Sequence, residues 1–257
     1  MLNCSIIRVW TVWWRRYMLN RETIRKMALQ YKTTDINIAR EYVQHLFLSF
    51  FYQEKKSERV LFKGGTALRI VFQSPRFSED LDFSGFGINL EILETLLVNV
   101  MDKVDRTGIT IDVSESKKTS GGYIGVLDLV FSGYRTRILL EVSLRKKTEV
   151  KGEPVLIAGD FLQPYTVAIL PRTDLIEEKL AAVLSRAKPR DYYDVYFLLR
   201  KGLVSVEQRK SLRGIKRRLE KEKLSVDKEL RDFLPSDQQK IIRDFHEILM
   251  REISRYV

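Results

Sequence analysis

Apolar residues recur at helical spacing along Ile38, Tyr42, Leu46, Phe47 and Phe50, behind Asp35, which can cap a helix, and they predict a buried helix. The period then changes. Val60-Leu61-Phe62 predicts a short strand, Gly64-Gly65 a turn, and Thr66 the opening of a helix through Ala67, Leu68, Ile70 and Val71. From Ser78 to Ser84 the chain returns as a strand, and residues 89–106 carry a third helical pattern. Strands follow near 109–115, 122–132 and 135–145, the last two joined by a short turn at Ser132-Gly133-Tyr134. Tyr165 to Leu170 adds one more strand, ended by Pro171. Beyond it the pattern is helical. Asp174 and Glu177 form a capping-box-like pair ahead of Leu175, Ile176, Leu180, Val183 and Leu184. Pro189 separates that helix from one at about 191–201, which Gly202 closes, and Ser236 with Gln239 caps a last helix carrying Ile241, Ile242, Phe245, Leu249 and Ile253.

These elements predict an α+β half with a mixed sheet and flanking helices, over residues 18–171, followed by a helical domain over 172–257. There is no internal repeat. Residues 1–17, MLNCSIIRVWTVWWRRY, stand apart: they hold all three tryptophans, and the triplet Met-Leu-Asn recurs at Met18-Leu19-Asn20. Arg8 interrupts their apolar run, which falls short of the roughly 20 residues needed to span a bilayer, and no small-residue cleavage site follows. The expectation is that translation starts at Met18 and that residues 1–17 are an upstream extension outside the fold; a membrane-surface anchor is the alternative.

Composition narrows the function classes. The single cysteine, Cys4, excludes an internal disulfide framework and a cysteine zinc cluster, which suits a reducing cytoplasm, and His45 and His246 are too few for a histidine metal site. A net charge of +11 points to a polyanionic partner, because a basic face gains from counterion release when it meets phosphates. The excess is concentrated: residues 200–231 hold twelve Lys and Arg against five acids. That stretch reads either as a solvated helix face laced with ion pairs or as a nucleic-acid contact.

Candidate chemistry concentrates in Lys63–Ser84, KGGTALRIVFQSPRFSEDLDFS. Strand side chains alternate, so Asp80 and Asp82 point to one face with Cα atoms roughly 7 Å apart, a spacing at which two carboxylates can share hard cations. A solvent-facing strand carries the same pattern, and context decides between the two. Leu81 and Phe83 supply the apolar face, while Gly64-Gly65-Thr66 sits one helix upstream at a strand-to-helix turn, where backbone N–H groups favour phosphate. A tight turn needing positive φ would use the same glycines. A third acid would complete such a site. Glu141, in an otherwise apolar strand where an ionised carboxylate is costly without a partner, and Asp128 are both candidates.

The runs KGGTALR, RFSEDLDFS, Leu175-Ile176-Glu177-Glu178-Lys179-Leu180-Ala181-Ala182 and Arg190-Asp191-Tyr192-Tyr193-Asp194-Val195, in that order, resemble the AbiEii/AbiGii toxin family of nucleotidyltransferases. The resemblance implies a DNA-polymerase-β-like core followed by a helical domain. It places Gly64, Gly65 and Thr66 in the phosphate turn, Asp80 and Asp82 in the metal motif, Lys179 at the lysine position and Asp191 as the final acid. Lys179 also reads as a surface lysine in helix pairs, and Asp191 as an N-cap. Lys63, Arg76 and Ser78 border the same pocket by sequence and are candidate nucleotide contacts. The expected reaction is in-line attack of an acceptor hydroxyl on the α-phosphate of an NTP, with Mg²⁺ or Mn²⁺ on Asp80, Asp82 and Glu141. RNA such as a tRNA 3′ end is the expected acceptor, and a separate antitoxin the expected protein partner. Nucleotide transfer to protein hydroxyls, an inactive RNA-binding module and a nuclease are the alternatives.

Overall fold

The computed structural model describes residues 19–146 and 150–257, without the side chains of Asp227 and Lys228. The expectation for residues 1–17 and a start at Met18 lies outside the described residues. In chain order the elements are α1 (Arg21–Gln30), α2 (Asp35–Phe51), β1 (Val60–Lys63), α3 (Gly64–Ile70), β2 (Leu81–Phe86), α4 (Leu90–Asp105), β3 (Thr110–Thr119), β4 (Gly122–Phe131) and β5 (Tyr134–Arg145). They continue with β6 (Glu153–Ile157), β7 (Tyr165–Ile169), α5 (Arg172–Ser185), α6 (Pro189–Arg200), α7 (Arg209–Lys221), α8 (Asp227–Arg231) and α9 (Phe245–Ile253). The fold is mixed α/β. Among the described residues, no helix is long and apolar enough to cross a membrane.

The chain forms two compact units. The first combines the chain up to Phe62 with Glu79–Ile169. Its seven strands form one sheet in the order β3-β4-β5-β2-β1-β7-β6. β2 runs parallel to β5 and β1 to β7, while β3-β4, β4-β5 and β6-β7 are antiparallel, so the sheet is mixed. Helix α2 packs on it through aromatic side chains, with the Phe51 ring 5.9 Å from Phe47 and 5.2 Å from Phe83, and Phe62 a further 5.6 Å from Phe83. The Tyr52 hydroxyl lies 2.8 Å from the Val60 carbonyl and 2.9 Å from that of Ala168, bridging β1 and β7. The cap of α2 is Thr34, which accepts from the Asn37 amide; Asp35 is its first residue and accepts from the Tyr134 hydroxyl at 2.8 Å. α4 is capped by Asn89.

Differences from the sequence pattern are local. β2 begins at Leu81 rather than Ser78, and just ahead of that segment Phe77 gives its amide to the Phe233 carbonyl. β6 carries Pro154, which hides it from a strand pattern, yet proline is tolerated in a strand at the sheet edge.

The second unit combines Lys63–Ser78 with Leu170–Val257. The division expected at 171/172 was contiguous; here the glycine turn and the segment after it are grouped with helices α5–α9. Gly202 closes α6 with φ +65°. The last helix expected from Ser236 is broken into a 3₁₀ turn, Gln239–Ile242, and α9, while the Gln239 amide donates to the carbonyls of Arg231 and Leu234.

Gly122 shows how closely the strands approach. A Cβ there would lie 1.9 Å from the carbonyl oxygen of Val142 and 3.1 Å from the Leu144 nitrogen, both backbone atoms of β5. Gly122→Ala should therefore destabilise the protein by about 1–3 kcal/mol through forced strand separation. Urea unfolding checks this, and an unchanged midpoint would show that β4 and β5 are not held at this distance.

Candidate active site

Asp82 is the second residue of β2 and stands in register with Glu141 of the parallel strand β5. Neighbouring strands lie about 4.8 Å apart, so these two carboxylates project side by side from one face. Leu81 and Phe83 alternate with Asp82 and are buried, and Asp80, half-buried, immediately precedes the strand. Glu141 is exposed rather than immersed among apolar residues, and its strand neighbour on this face is Asp82. Asp128 is committed elsewhere: Arg137, its register partner, donates to both its oxygens at 2.8 and 3.1 Å. The Arg137 guanidinium and the Ser114 hydroxyl hold its carboxyl below the usual range.

Arg40 of α2, which the sequence pattern did not single out, reaches the same stretch, with Nη2 3.0 Å from Glu79. Burial lowers its pKa, and the carboxylates of Glu79 and Asp80 oppose that shift. Its sequence signal is slight, a guanidinium between Ala39 and Glu41 in a helix that carries other polar residues as well.

Among the described residues, no group of three or more His, Cys, Asp or Glu is gathered so as to hold a metal ion by itself. Asp80 and Asp82 nonetheless offer hard oxygen donors. Mg²⁺ characteristically binds one or two carboxylates together with substrate phosphates and water rather than an all-protein cage. The donor set therefore fits a cation that arrives with a nucleotide.

In the second unit, Lys63 is extended and Gly64 takes φ +83°, a backbone that side chains other than glycine's rarely adopt. Gly65 is needed for a different reason: a Cβ there would lie 2.7 Å from Arg76 Nη2 and 2.8 Å from Ser78 Oγ. Arg76 and Ser78 thus both lie against the glycine turn. Thr66 is fully buried, and Lys63 pairs with Glu178 of α5 at 2.9 Å.

Beneath the turn lies a buried charge cluster. Asp194 of α6 accepts from Arg76 Nε at 3.0 Å, from Arg76 Nη2 at 3.1 Å and from Lys179 Nζ of α5 at 2.8 Å. All three side chains are less than a tenth exposed. Burial pushes the Asp194 carboxyl up, but Arg76 and Lys179 together outweigh it and hold the group below its ordinary value. Arg76 and Lys179 share the single carboxylate of Asp194, so the buried cluster keeps one net positive charge. Asp191 does not orient Lys179: Arg186 occupies both its oxygens at 2.9 and 2.7 Å, and it accepts from the Lys188 amide as a helix cap.

The basic segment also resolves into parts. Leu212, Ile215 and Leu219 bury one face of α7. Arg218 donates to the Leu184 carbonyl at 3.0 Å, and Arg209 lies over the Tyr256 ring. Lys210, Arg213, Arg217 and Lys221 form an exposed row at helical spacing.

Along the chain, the two carboxylates at the head of β2 follow closely on a serine that lines a glycine turn. Residues 46–255 match the family described as nucleotidyl transferase AbiEii toxin, of a type IV toxin–antitoxin system, and the chain belongs to that family. It is accordingly a nucleotidyltransferase. Two solved structures from Helicobacter pylori share the fold. One is JHP933, with a TM-score of 0.60 at 19% identity, covering 87% of this chain and 95% of that one. The other is described as a candidate nucleotidyltransferase, with a TM-score of 0.59 at 17% identity, covering 87% and 99%. Among curated proteins, none matches significantly.

The two aspartates of α6 are separable by stability. Asp194→Ala leaves two buried cations without their anion and should cost about 3–5 kcal/mol, whereas Asp191→Ala loses a cap and a half-exposed pair and should cost about 1–2 kcal/mol. Because the Asp194 pKa is depressed in the folded state, its contribution is full above the ordinary aspartate range and is lost as pH falls through the depressed value. Urea unfolding of both variants at neutral and acid pH checks the order; equal losses at neutral pH would contradict it.

Proposed function

We propose that this enzyme moves a nucleoside monophosphate from an NTP to a hydroxyl of RNA, such as a tRNA 3′ end, as the toxin of a toxin–antitoxin pair. Its sheet unit is read as a DNA-polymerase-β-like core and its second unit as the helical partner of that core. The observation that carries this reading is the short path from Ser78, whose hydroxyl lines the Gly65 turn, to Asp80 and Asp82 at the head of β2. Phosphate-binding and metal-binding groups follow one another within five residues.

The backbone of the Gly64–Gly65 turn, with Thr66 and Ser78, receives phosphate oxygens through N–H and O–H donors. Lys63 adds a cation at the turn, kept in place by Glu178. Lys179 serves the triphosphate as a point charge. Its ammonium has three donors, and the one held by Asp194 fixes the direction of the others. Asp80 and Asp82 would hold Mg²⁺ or Mn²⁺ together with nucleotide phosphates and water; Glu141, though in register with Asp82, is not gathered with them as a third carboxylate. When bound, the cation supplies charge neutralisation at the transferring phosphoryl group. The acceptor hydroxyl attacks the α-phosphorus, a new P–O bond forms, and pyrophosphate leaves.

The outward row on α7 favours a polyanionic acceptor, since four exposed cations at helical spacing offer a phosphate backbone a continuous line of charge. Transfer to a protein hydroxyl would use the same donor machinery without that row. A cytoplasmic site of action rests on the lone cysteine of the sequence.

Incubation of the purified protein with each α-labelled NTP, Mg²⁺ and total RNA tests the reading. The wild type should label RNA, and Asp80→Ala or Asp82→Ala should reduce labelling by at least ~10²-fold, as expected when a preorganised electrostatic group is lost. Asp80→Ala also takes a carboxylate away from the buried Arg40 and should melt somewhat lower than the wild type, so labelling is compared at a temperature at which every variant is folded. Near-normal labelling by either variant would remove the aspartates from the site, and labelling of protein but not RNA would change the acceptor.

A further inference from the structure

We infer that a cleft in the second unit, immediately past α7, binds the phosphate backbone of a polynucleotide and extends the cationic row of that helix. The cleft has a volume of about 860 Å³ and lies between residues 223–226, Arg231 and residues 239–244. Lys223, Arg231, Lys240 and Arg243 are all exposed on its lining, against one acid, Asp244. Two of these cations, Lys240 and Arg243, lie outside the basic stretch that the sequence marks.

The walls of the cleft are fixed. Val226 and Ile242 are buried at its base, the Leu224 amide donates to His246 Nδ1 at 3.1 Å, and Gln239 holds the 3₁₀ turn to the end of α8 through the Arg231 carbonyl. A cation cluster on a fixed frame loses less entropy on binding an anion than one on a mobile loop. The cleft begins two residues after Lys221, the last cation of the α7 row. From Lys210 to Lys221 that row spans about 16 Å at the helical rise, matching about five base steps at roughly 3.4 Å per step along a strand.

The chemistry of the lining also indicates how the ligand is read. It contains lysines, arginines and aliphatic side chains but no aromatic ring, so bases have nothing to stack on. Recognition falls on phosphates and is independent of sequence. The inference rests on the RNA-acceptor reading above and deepens it by placing acceptor contacts at Lys223, Lys240 and Arg243.

The test is a titration of labelled poly(U) RNA at several salt concentrations, using the full chain. Three proteins are compared: wild type, the variant Lys223→Glu/Lys240→Glu/Arg243→Glu, and a charge-matched control, Lys55→Glu/Lys117→Glu/Lys118→Glu, at exposed positions of the first unit. The cleft variant should lower the log–log salt slope by about 2, since each lost contact to a single strand removes about 0.7. The control should retain the wild-type slope, and all three should bind NTP equally. Equal slopes for cleft variant and control overturn the cleft while leaving the RNA reading intact. A wild type that binds no RNA overturns both. A cleft that binds poly-glutamate in preference to poly(U) assigns it to an acidic protein and overturns the inference.

Discussion

The structure of the second unit depends on one buried interaction, the Asp194 carboxylate between Arg76 and Lys179. Two cations and one anion in a nearly dry environment are tolerable only while all three stay together, because the desolvation cost of each is met by its neighbours. The geometry satisfies that condition: Arg76 makes a two-pronged contact and Lys179 a third bond to the same carboxylate. Arg76 belongs to the segment Lys63–Ser78, Lys179 to α5 and Asp194 to α6. The cluster therefore ties the glycine turn to the helices and explains why that segment is grouped with them although strands of the sheet flank it in sequence.

The turn itself is shaped by the same contact. Arg76, drawn toward Asp194, passes so close to Gly65 that no side chain fits at that position, and Ser78 is brought to the turn from the other side of Phe77. Phe77 is buried and gives its amide to Phe233. From Ser78 the chain needs only two residues to reach Asp80. The order of residues along this stretch, with a phosphate turn, a buried anchor, a hydroxyl and two acids, is a chemical sequence as well as an amino-acid sequence.

Much of this was legible before any coordinates. β4, β5 and α4 follow alternation or helical period closely, and their ends carry turn residues or an asparagine cap. The acids of β2 were legible because strand spacing alone places them on one face. Other features lacked a local signal. The outer half of β3, Ser114–Thr119, is polar on both faces because it is exposed throughout, so no periodicity marks it. The break before α9 falls between two helical patterns that fuse when read in sequence. That Asp194 rather than Asp191 meets Lys179 carries no local signal, since both lie in the same block of α6 and the lysine stands fifteen residues away. The pairing of Arg76 with Asp194 is equally hidden, because the partner is 118 residues distant.

Nucleotidyl transfer with release of pyrophosphate gives the α and γ phosphorus atoms of the NTP different fates. Parallel reactions with NTP labelled at either phosphorus, in the presence of Mg²⁺ and RNA, follow them. The α label should enter the acceptor while the γ label appears in pyrophosphate. Incorporation of γ label, or its release as inorganic phosphate with no α label transferred, would contradict nucleotidyl transfer.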